Sequence, residues 1–264
     1  MSPAAHLNVE RLGSGRPLLL VHGLGASWQS WAPVLDDLAR AREVVAIDLP
    51  GFGASPPLPG DITIATLTDA VADFIDAEGL GGVDTVGSSM GARMVLELAR
   101  RGLGGDTVAL DPGGFWGPGE LRFFSISLQA SLQIVLRLQP LMPALMGNPI
   151  GRTALLSQFS AAPWRLPADV ALHEMRSFAR ARSLYEALDT LVHGPLQAGA
   201  PAGTTPGRVT IGWGRQDRVT FPRQAGRAGE LFPDAELHWF ERCGHFPMWD
   251  QPAQTVRLIL DRTG

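Results

Sequence analysis

Val83-Asp84-Thr85-Val86-Gly87-Ser88-Ser89-Met90-Gly91-Ala92-Arg93-Met94-Val95 is the stretch whose reading decides the fold. Val83–Val86 reads as a short buried strand, and Met90–Arg101 carries its apolar residues at helical spacing. Between them Gly87-Ser88-Ser89-Met90-Gly91 fits the pattern G-x-S-x-G in the context that gives it meaning, a strand running directly into a helix. A turn that tight leaves no room for a side chain at Gly87 or Gly91. It also holds the middle residue in a strained conformation that lifts the Ser89 hydroxyl clear of the sheet edge. The helix N-terminus beneath it favours developing negative charge. Ser88 is the nearest decoy, but only Ser89 has the right flanking glycines.

The same rhythm extends outward. Pro17–His22 (PLLLVH) and Glu43–Ile47 (EVVAI) read as strands, with helices over Trp28–Arg40 and Ile64–Glu78, and Thr107–Leu110 is a further strand. Strand–helix alternation implies a parallel sheet wound with helices on both faces. Right-handed crossovers then place the strand-to-helix loops on one edge. The rhythm stops at Asp111, where Pro112, Gly113, Gly114, Gly117, Pro118 and Gly119 follow. Helical, strand-free sequence runs from there to about Val192. A Gly/Pro-rich loop, 194–207, returns the chain to a strand at Arg208–Trp213, a helix at Gln224–Leu231, a strand at Ala235–Phe240 and a last helix at Pro252–Leu260. The expected fold class is α/β, a mostly parallel, doubly wound sheet. One core domain would comprise 1–111 and 194–264, with a helical insertion at 112–193.

Composition narrows the function. With 45% hydrophobic and 18% charged residues, the 264-residue chain is globular rather than disordered. Its net charge of −4 leaves no basic excess for nucleic acid. All 22 basic residues are arginine, which removes any Schiff-base lysine, Walker-type phosphate loop or Ser–Lys pair. The single cysteine, Cys243, can form neither an intramolecular disulfide nor a thiolate metal cluster and reads as a packed thiol. No clustered ligands call for a metal, and no cofactor is expected. Met1–Glu10 lacks the form of a secretory signal, and the apolar run Leu121–Met146 is interrupted by polar residues and prolines. The expectation is a cytoplasmic protein without stable membrane insertion; a homodimer stays open.

A serine nucleophile needs a general base held by an acid. Asp217, in Gly214-Arg215-Gln216-Asp217, and His245, in Cys243-Gly244-His245-Phe246-Pro247, each follow the end of an expected strand. All three side chains would project from the same sheet edge, where ligand sites lie in such folds. Asp111, at another strand end, is a rival acid, although an aspartate before proline is also a plain turn former. An oxyanion site needs two backbone N–H groups. Met90 supplies one, and Leu24 in His22-Gly23-Leu24-Gly25-Ala26 is the expected second. His22 reads as a structural hydrogen bonder. The loop fails as a dinucleotide motif because Trp28 stands where the third glycine belongs.

On these residues the sequence resembles the α/β-hydrolase superfamily, in its small capped serine esterase/lipase-like branch. The matching segments are HGLGAS (22–27), DLPGFGAS (48–55), GSSMG (87–91), GRQD (214–217) and CGHFPMWDQP (243–252). The resemblance implies an eight-stranded sheet with a helical cap inserted after the sixth strand. It makes Asp48 part of a structural turn, and Ser89, Asp217 and His245 a catalytic triad. It further implies a serine hydrolase that cleaves a small-molecule carboxylic ester through an acyl-enzyme.

The aspartate-nucleophile relatives, the haloalkane dehalogenases and epoxide hydrolases, are disfavoured by Ser89. The carbon–carbon hydrolases of ring-fission products typically carry glycine–proline–glycine after the first HG-x, where this chain reads HGLGAS. The same fold also admits perhydrolase-like chemistry and slow-turnover ligand binding. Apolar residues of the insertion favour an apolar acyl or alkyl group. The expected substrate contacts are Trp28, Phe115, Trp116 and Phe246. His173, His193 and Arg137 read as surface residues of the insertion.

Overall fold

In the computed structural model, which describes residues 7–264, seven strands among the described residues form one sheet in the order β1-β3-β2-β4-β5-β6-β7. These are β1 (Val9–Leu12), β2 (Pro17–Val21), β3 (Glu43–Ile47), β4 (Asp84–Ser88), β5 (Thr107–Leu110), β6 (Val209–Gly214) and β7 (Glu236–Phe240). Every pairing is parallel except β1 with β3. Of the N-terminal segment read for a leader, residues 1–6 lie outside the described residues.

Alternation along the strands sends side chains to two cores. Leu19 and Val21 of β2 and Val45 and Ile47 of β3 pack with α2 (Ile64–Ala77) and α3 (Met90–Arg100) on one face. Leu18, Leu20, Val44 and Ala46 pack on the other with α1 (Ala32–Ala39) and α11 (Pro252–Arg262). Because both faces are covered, β2 (PLLLV) and β5 (TVAL) read as continuous rather than alternating apolar runs. Thr63 starts α2 by a reciprocal capping box with Thr66.

The chain leaves the sheet after β5 and forms α4 (Pro118–Leu138), α5 (Met142–Gly147), α6 (Pro149–Leu156), α7 (Ala168–Arg180) and α8 (Leu184–His193). Val135, Met142, Met146, Leu156, Leu166, Ala171 and Met175 give these helices a core of their own. The remaining helices are α9 (Gln224–Leu231) and α10 (Pro247–Asp250). None of the helices among the described residues is long and apolar enough to cross a membrane.

Two details correct the sequence reading. The sheet has seven strands among the described residues, not eight, and the helical stretch follows the fifth, β5, not the sixth. The strand that periodicity passed over is β1. Its four residues, VERL, pair on one side only and stay half-exposed, so they carry no buried apolar run.

At the opposite edge from the strand-to-helix loops, Arg42 ties the sheet to the C-terminal segment. Its guanidinium is buried and donates to the carbonyls of Arg16, Pro17 and Thr263, to the Thr263 hydroxyl, and to Asp84 Oδ2 at 2.7 Å. Removing Arg42 orphans several buried acceptors at once and leaves the buried Asp84 carboxylate with only the half-exposed Arg16 guanidinium and the Asp106 N–H. Arg42→Ala should therefore cost about 3–5 kcal/mol in denaturant unfolding. A loss below ~1 kcal/mol would show that water replaces the guanidinium there.

Candidate active site

The Gly87–Gly91 turn is built as the sequence demands. A Cβ on Gly87 would stand 2.3 Å from the Gly91 carbonyl oxygen, and one on Gly91 would stand 2.2 Å from that of Val21. Ser89 takes φ 55°, a region that L-residues rarely occupy. The strain is held from both sides: Ser89 N–H donates to the Leu110 carbonyl at 2.9 Å, and its own carbonyl accepts from Arg93 and Gly113.

Three side chains predicted from sequence converge here. His245 Nε2 lies 2.8 Å from Ser89 Oγ, and His245 Nδ1 lies 2.8 Å from Asp217 Oδ2. The carboxylate partner on Nδ1 fixes that nitrogen as the donor, leaving Nε2 to accept the serine proton. Asp217 is buried and further accepts the N–H groups of Val219 and Thr220 and the Thr220 hydroxyl. His245 is held in turn by its own N–H, which donates to the Phe159 carbonyl at 2.8 Å.

Asp111, the rival acid, is placed differently. It does not bond His245; its Oδ1 accepts the Gly214 N–H at 2.8 Å and its Oδ2 has no partner. Burial, with the neighbouring Asp217 carboxylate adding to it, raises its pKa well above the usual aspartate range. Asp111 is therefore a brace under the turn that carries Asp217, with its pKa raised by burial. Asp111, Asp217 and His245 bring one ligating atom each within 4.8 Å of one another, but Asp217 and His245 are already engaged with each other at 2.8 Å.

Met90 is the first residue of α3, so its N–H lacks an intrahelical acceptor. Leu24 lies across from it in the loop after β2. A Cβ on Gly23 would approach Ser89 Cβ to 3.2 Å, which records how near that loop runs. His22 is buried and structural: Nδ1 faces the Gly23 carbonyl and Nε2 accepts the Leu49 N–H at 3.0 Å. Burial lowers its pKa, which keeps it neutral for that role. Asp48 accepts from Trp28 N, Ala54 N and Asn8, in keeping with a turn-forming residue.

Ser89 and His245 open on a cavity of about 240 Å³ between the sheet edge and the helices. Phe246 and Leu24 line it. Trp28, Phe115 and Trp116 do not. Phe115 packs against Trp213 and Phe232, Trp116 stacks at 4.8 Å on Phe124, and Trp28 joins the core beneath the sheet. Large aromatic side chains next to a Gly-rich loop went to the core, because the core there needed filling. The apolar walls come instead from Phe124, Leu128, Met175, Phe178 and Trp249. Arg137 is exposed, His193 pairs with Asp189 at the surface, and His173 is half-buried with Nε2 3.0 Å from Ser27 Oγ.

Two residues here were given no role from sequence. Asp250 accepts from Ser160 Oγ, Ala161 N and Gly244 N, joining the segment after α6 to the loop that carries His245. Glu174, on α7, lines the cavity with Oε1 unpartnered. Burial raises its pKa to about 7, against a smaller opposite pull from the Ser30 hydroxyl. The unfolded chain would ionise this group near pH 4.5. Between there and about 7 the folded state keeps a proton that the unfolded state has lost, so stability falls as pH rises through that window. Glu174→Gln, which cannot ionise, should gain on the order of 2–3 kcal/mol over wild type at pH 8, and almost nothing at pH 4. Denaturant unfolding at the two pH values checks this; an equal effect at both would contradict it.

The sequence profile of the Alpha/beta hydrolase family matches residues 18–258, and the chain belongs to that family. The chain is 27% identical over 269 residues to the 2-hydroxy-6-oxo-2,4-heptadienoate hydrolase of Pseudomonas putida, covering 96% of this chain and 91% of that one. It is 29% identical over 266 residues to the pimeloyl-[acyl-carrier protein] methyl ester esterase of Chromobacterium violaceum, covering 97% of each. A thermophilic esterase from Thermogutta terrifontis superposes with a TM-score of 0.74 at 21% identity, covering 97% of this chain and 92% of that one.

Proposed function

We propose that this member of the alpha/beta hydrolase family cleaves carboxylic esters with an apolar acyl or alkyl group. Ser89 is the nucleophile, His245 the base and Asp217 the acid. The observation that carries the reading is the unbroken line of 2.8 Å contacts from Ser89 through His245 to Asp217, opening on a cavity walled mainly by apolar side chains.

In this reading Ser89 Oγ attacks the ester carbonyl as its proton passes to His245 Nε2. Asp217 holds the ring and stabilises the imidazolium. The oxyanion receives the N–H groups of Leu24 and Met90. His245 returns the proton to the departing alcohol, leaving an acyl-enzyme. Water then attacks the acyl carbon, giving its proton to His245, and Ser89 recovers a proton as the acid departs. Residues 112–193 act as a cap that walls the acyl site and excludes bulk water.

The relatives point two ways, to esters and to carbon–carbon cleavage. The heptadienoate named for the Pseudomonas putida enzyme is a carboxylate. No arginine is among the residues lining this cavity, and its one carboxyl, Glu174, would repel such an anion whenever it is ionised. That supports the ester reading over carbon–carbon hydrolysis.

Initial rates on nitrophenyl esters with acyl chains from two to sixteen carbons test it. Turnover should peak at short or medium chains and vanish in Ser89→Ala. Absence of turnover on every ester by folded wild-type protein would overturn the reading. Asp217→Asn should lower kcat by about 10⁴-fold, because it spoils the tautomer and charge at His245. Asp111→Asn can still accept the Gly214 N–H and should cost about tenfold or less. The reverse ranking would move the acid role to Asp111.

A further inference from the structure

Glu174 is the one ionisable side chain besides His245 among the residues lining the cavity. Most other polar lining groups are spent. Ser131 donates to Gln158, Gln158 donates to Ser127, and Ser89 is engaged with His245. Glu174 Oε1 has no partner, although the residue is only 6% exposed. The Ser30 hydroxyl lies close enough to pull the Glu174 pKa down in part, but it makes no well-formed hydrogen bond to Oε1.

Packing gives no reason for a carboxyl at this position. The other buried residues of α7 are Ala171 and Met175, both in the apolar core of the helical segment. A leucine or methionine would fill that volume without an empty acceptor, and an empty buried acceptor is unfavourable. No arginine lines the cavity to pair with it. A bound molecule that brings a donor supplies the missing partner, whereas an anionic one meets a second negative group.

We propose that Glu174 is the polar subsite of this cavity, where its carboxyl accepts a hydrogen bond from an O–H or N–H⁺ donor carried on the apolar acyl chain. The substrate class is thereby narrowed to esters of hydroxy- or amino-substituted fatty acids. The substrate assignment rests on the ester reading above; the binding subsite does not. Because burial brings the carboxyl near neutrality, an incoming ammonium would draw it to the ionised form, while a hydroxyl can bond to it in either form.

The test is calorimetric titration of the Ser89→Ala protein at pH 8 with three esters: methyl hexanoate, methyl 6-hydroxyhexanoate and methyl 6-aminohexanoate as its ammonium form. At least one donor-bearing ester should bind about tenfold or more tightly than methyl hexanoate. Adding Glu174→Leu should erase that preference and tighten methyl hexanoate. Glu174→Gln, closer in shape, separates the two donors. It should retain part of a hydroxyl preference, since its amide oxygen still accepts, and lose an ammonium preference. Equal binding of the three esters, no binding of any, or a preference that survives Glu174→Leu overturns the proposal. Wild-type turnover of the same esters is scored separately. A Glu174-dependent binding preference without turnover sinks the ester reading and leaves the subsite standing. Turnover of simple esters without the preference does the reverse.

Discussion

Backbone pressed against backbone at the head of β4 is the constraint on which the rest of the site depends. No Cβ fits on Gly87 or Gly91, so α3 can start directly against β2 and β4, and the residue between must take a positive φ. That conformation costs on the order of 1–3 kcal/mol for a serine. The core offsets it: α3 buries nine of its eleven residues, and the Ser89 backbone is bonded in both directions. Similar features recur at the ends of the next two strands, β5 and β6. Asp111 also has positive φ, and a Cβ on Gly214 would fall 1.9 Å from the Gly244 carbonyl oxygen. Close approach at β4 and β6 brings the two loops within side-chain reach of each other, which is how residues far apart in the chain come to a line of 2.8 Å contacts.

Much of this was readable in the chain because it rests on local rules. A G-x-S-x-G between an apolar strand and a helix allows one geometry, and strand ends on one edge gather Asp217 and His245 whatever joins them. The central strands and their helices were legible for the same reason, each burying a run of apolar residues. What escaped detection depends on tertiary packing. β1 carries no apolar run because one of its sides is unpaired. Phe115 and Trp116 look like ligand contacts in sequence, yet they fill space beside Trp213 and Phe124 that no local pattern reveals. Asp250 lies in the matched segment CGHFPMWDQP, but its role needs Ser160 and Ala161, ninety and eighty-nine positions away. Glu174 has helical spacing with its buried neighbours and nothing local to mark it as different.

Three buried carboxyl groups around the site share burial, which raises the pKa of Asp111 and Glu174, and differ in their hydrogen bonds. Asp111 and Asp217 are both shielded from water and close together, and two such groups resist ionising at once. Asp217 receives two backbone N–H groups, a hydroxyl and the histidine. Asp111 receives one N–H and keeps an empty oxygen. Burial and the neighbouring Asp217 push Asp111 toward its protonated form, while Asp217 makes the contact to His245. Glu174 completes the set: with no donor on Oε1 it stands near neutrality, ready to change charge with what occupies the cavity.

The helical segment is tied to the core at points that bear on how a molecule reaches Ser89. Asp250 bonds Ser160 and Ala161 to the loop carrying His245, and the Phe159 carbonyl accepts from His245 itself. The Gly51 carbonyl accepts from Arg182 and Ser183, and Arg182 reaches the Ser55 carbonyl. Ser27 meets His173, and Glu120 is held by Arg223 and Arg227. A swing of 118–193 as one body would break all of these and would pull the histidine loop out of register with Asp217. Access without that loss has to come from local movement of wall residues that carry no such ties, such as Ile134 and Leu128 of α4. The chemical machinery and one wall of the cavity are thus a single mechanical unit. Selectivity then resides in the groups that line the cavity, the empty acceptor on Glu174 among them, more than in any closing motion.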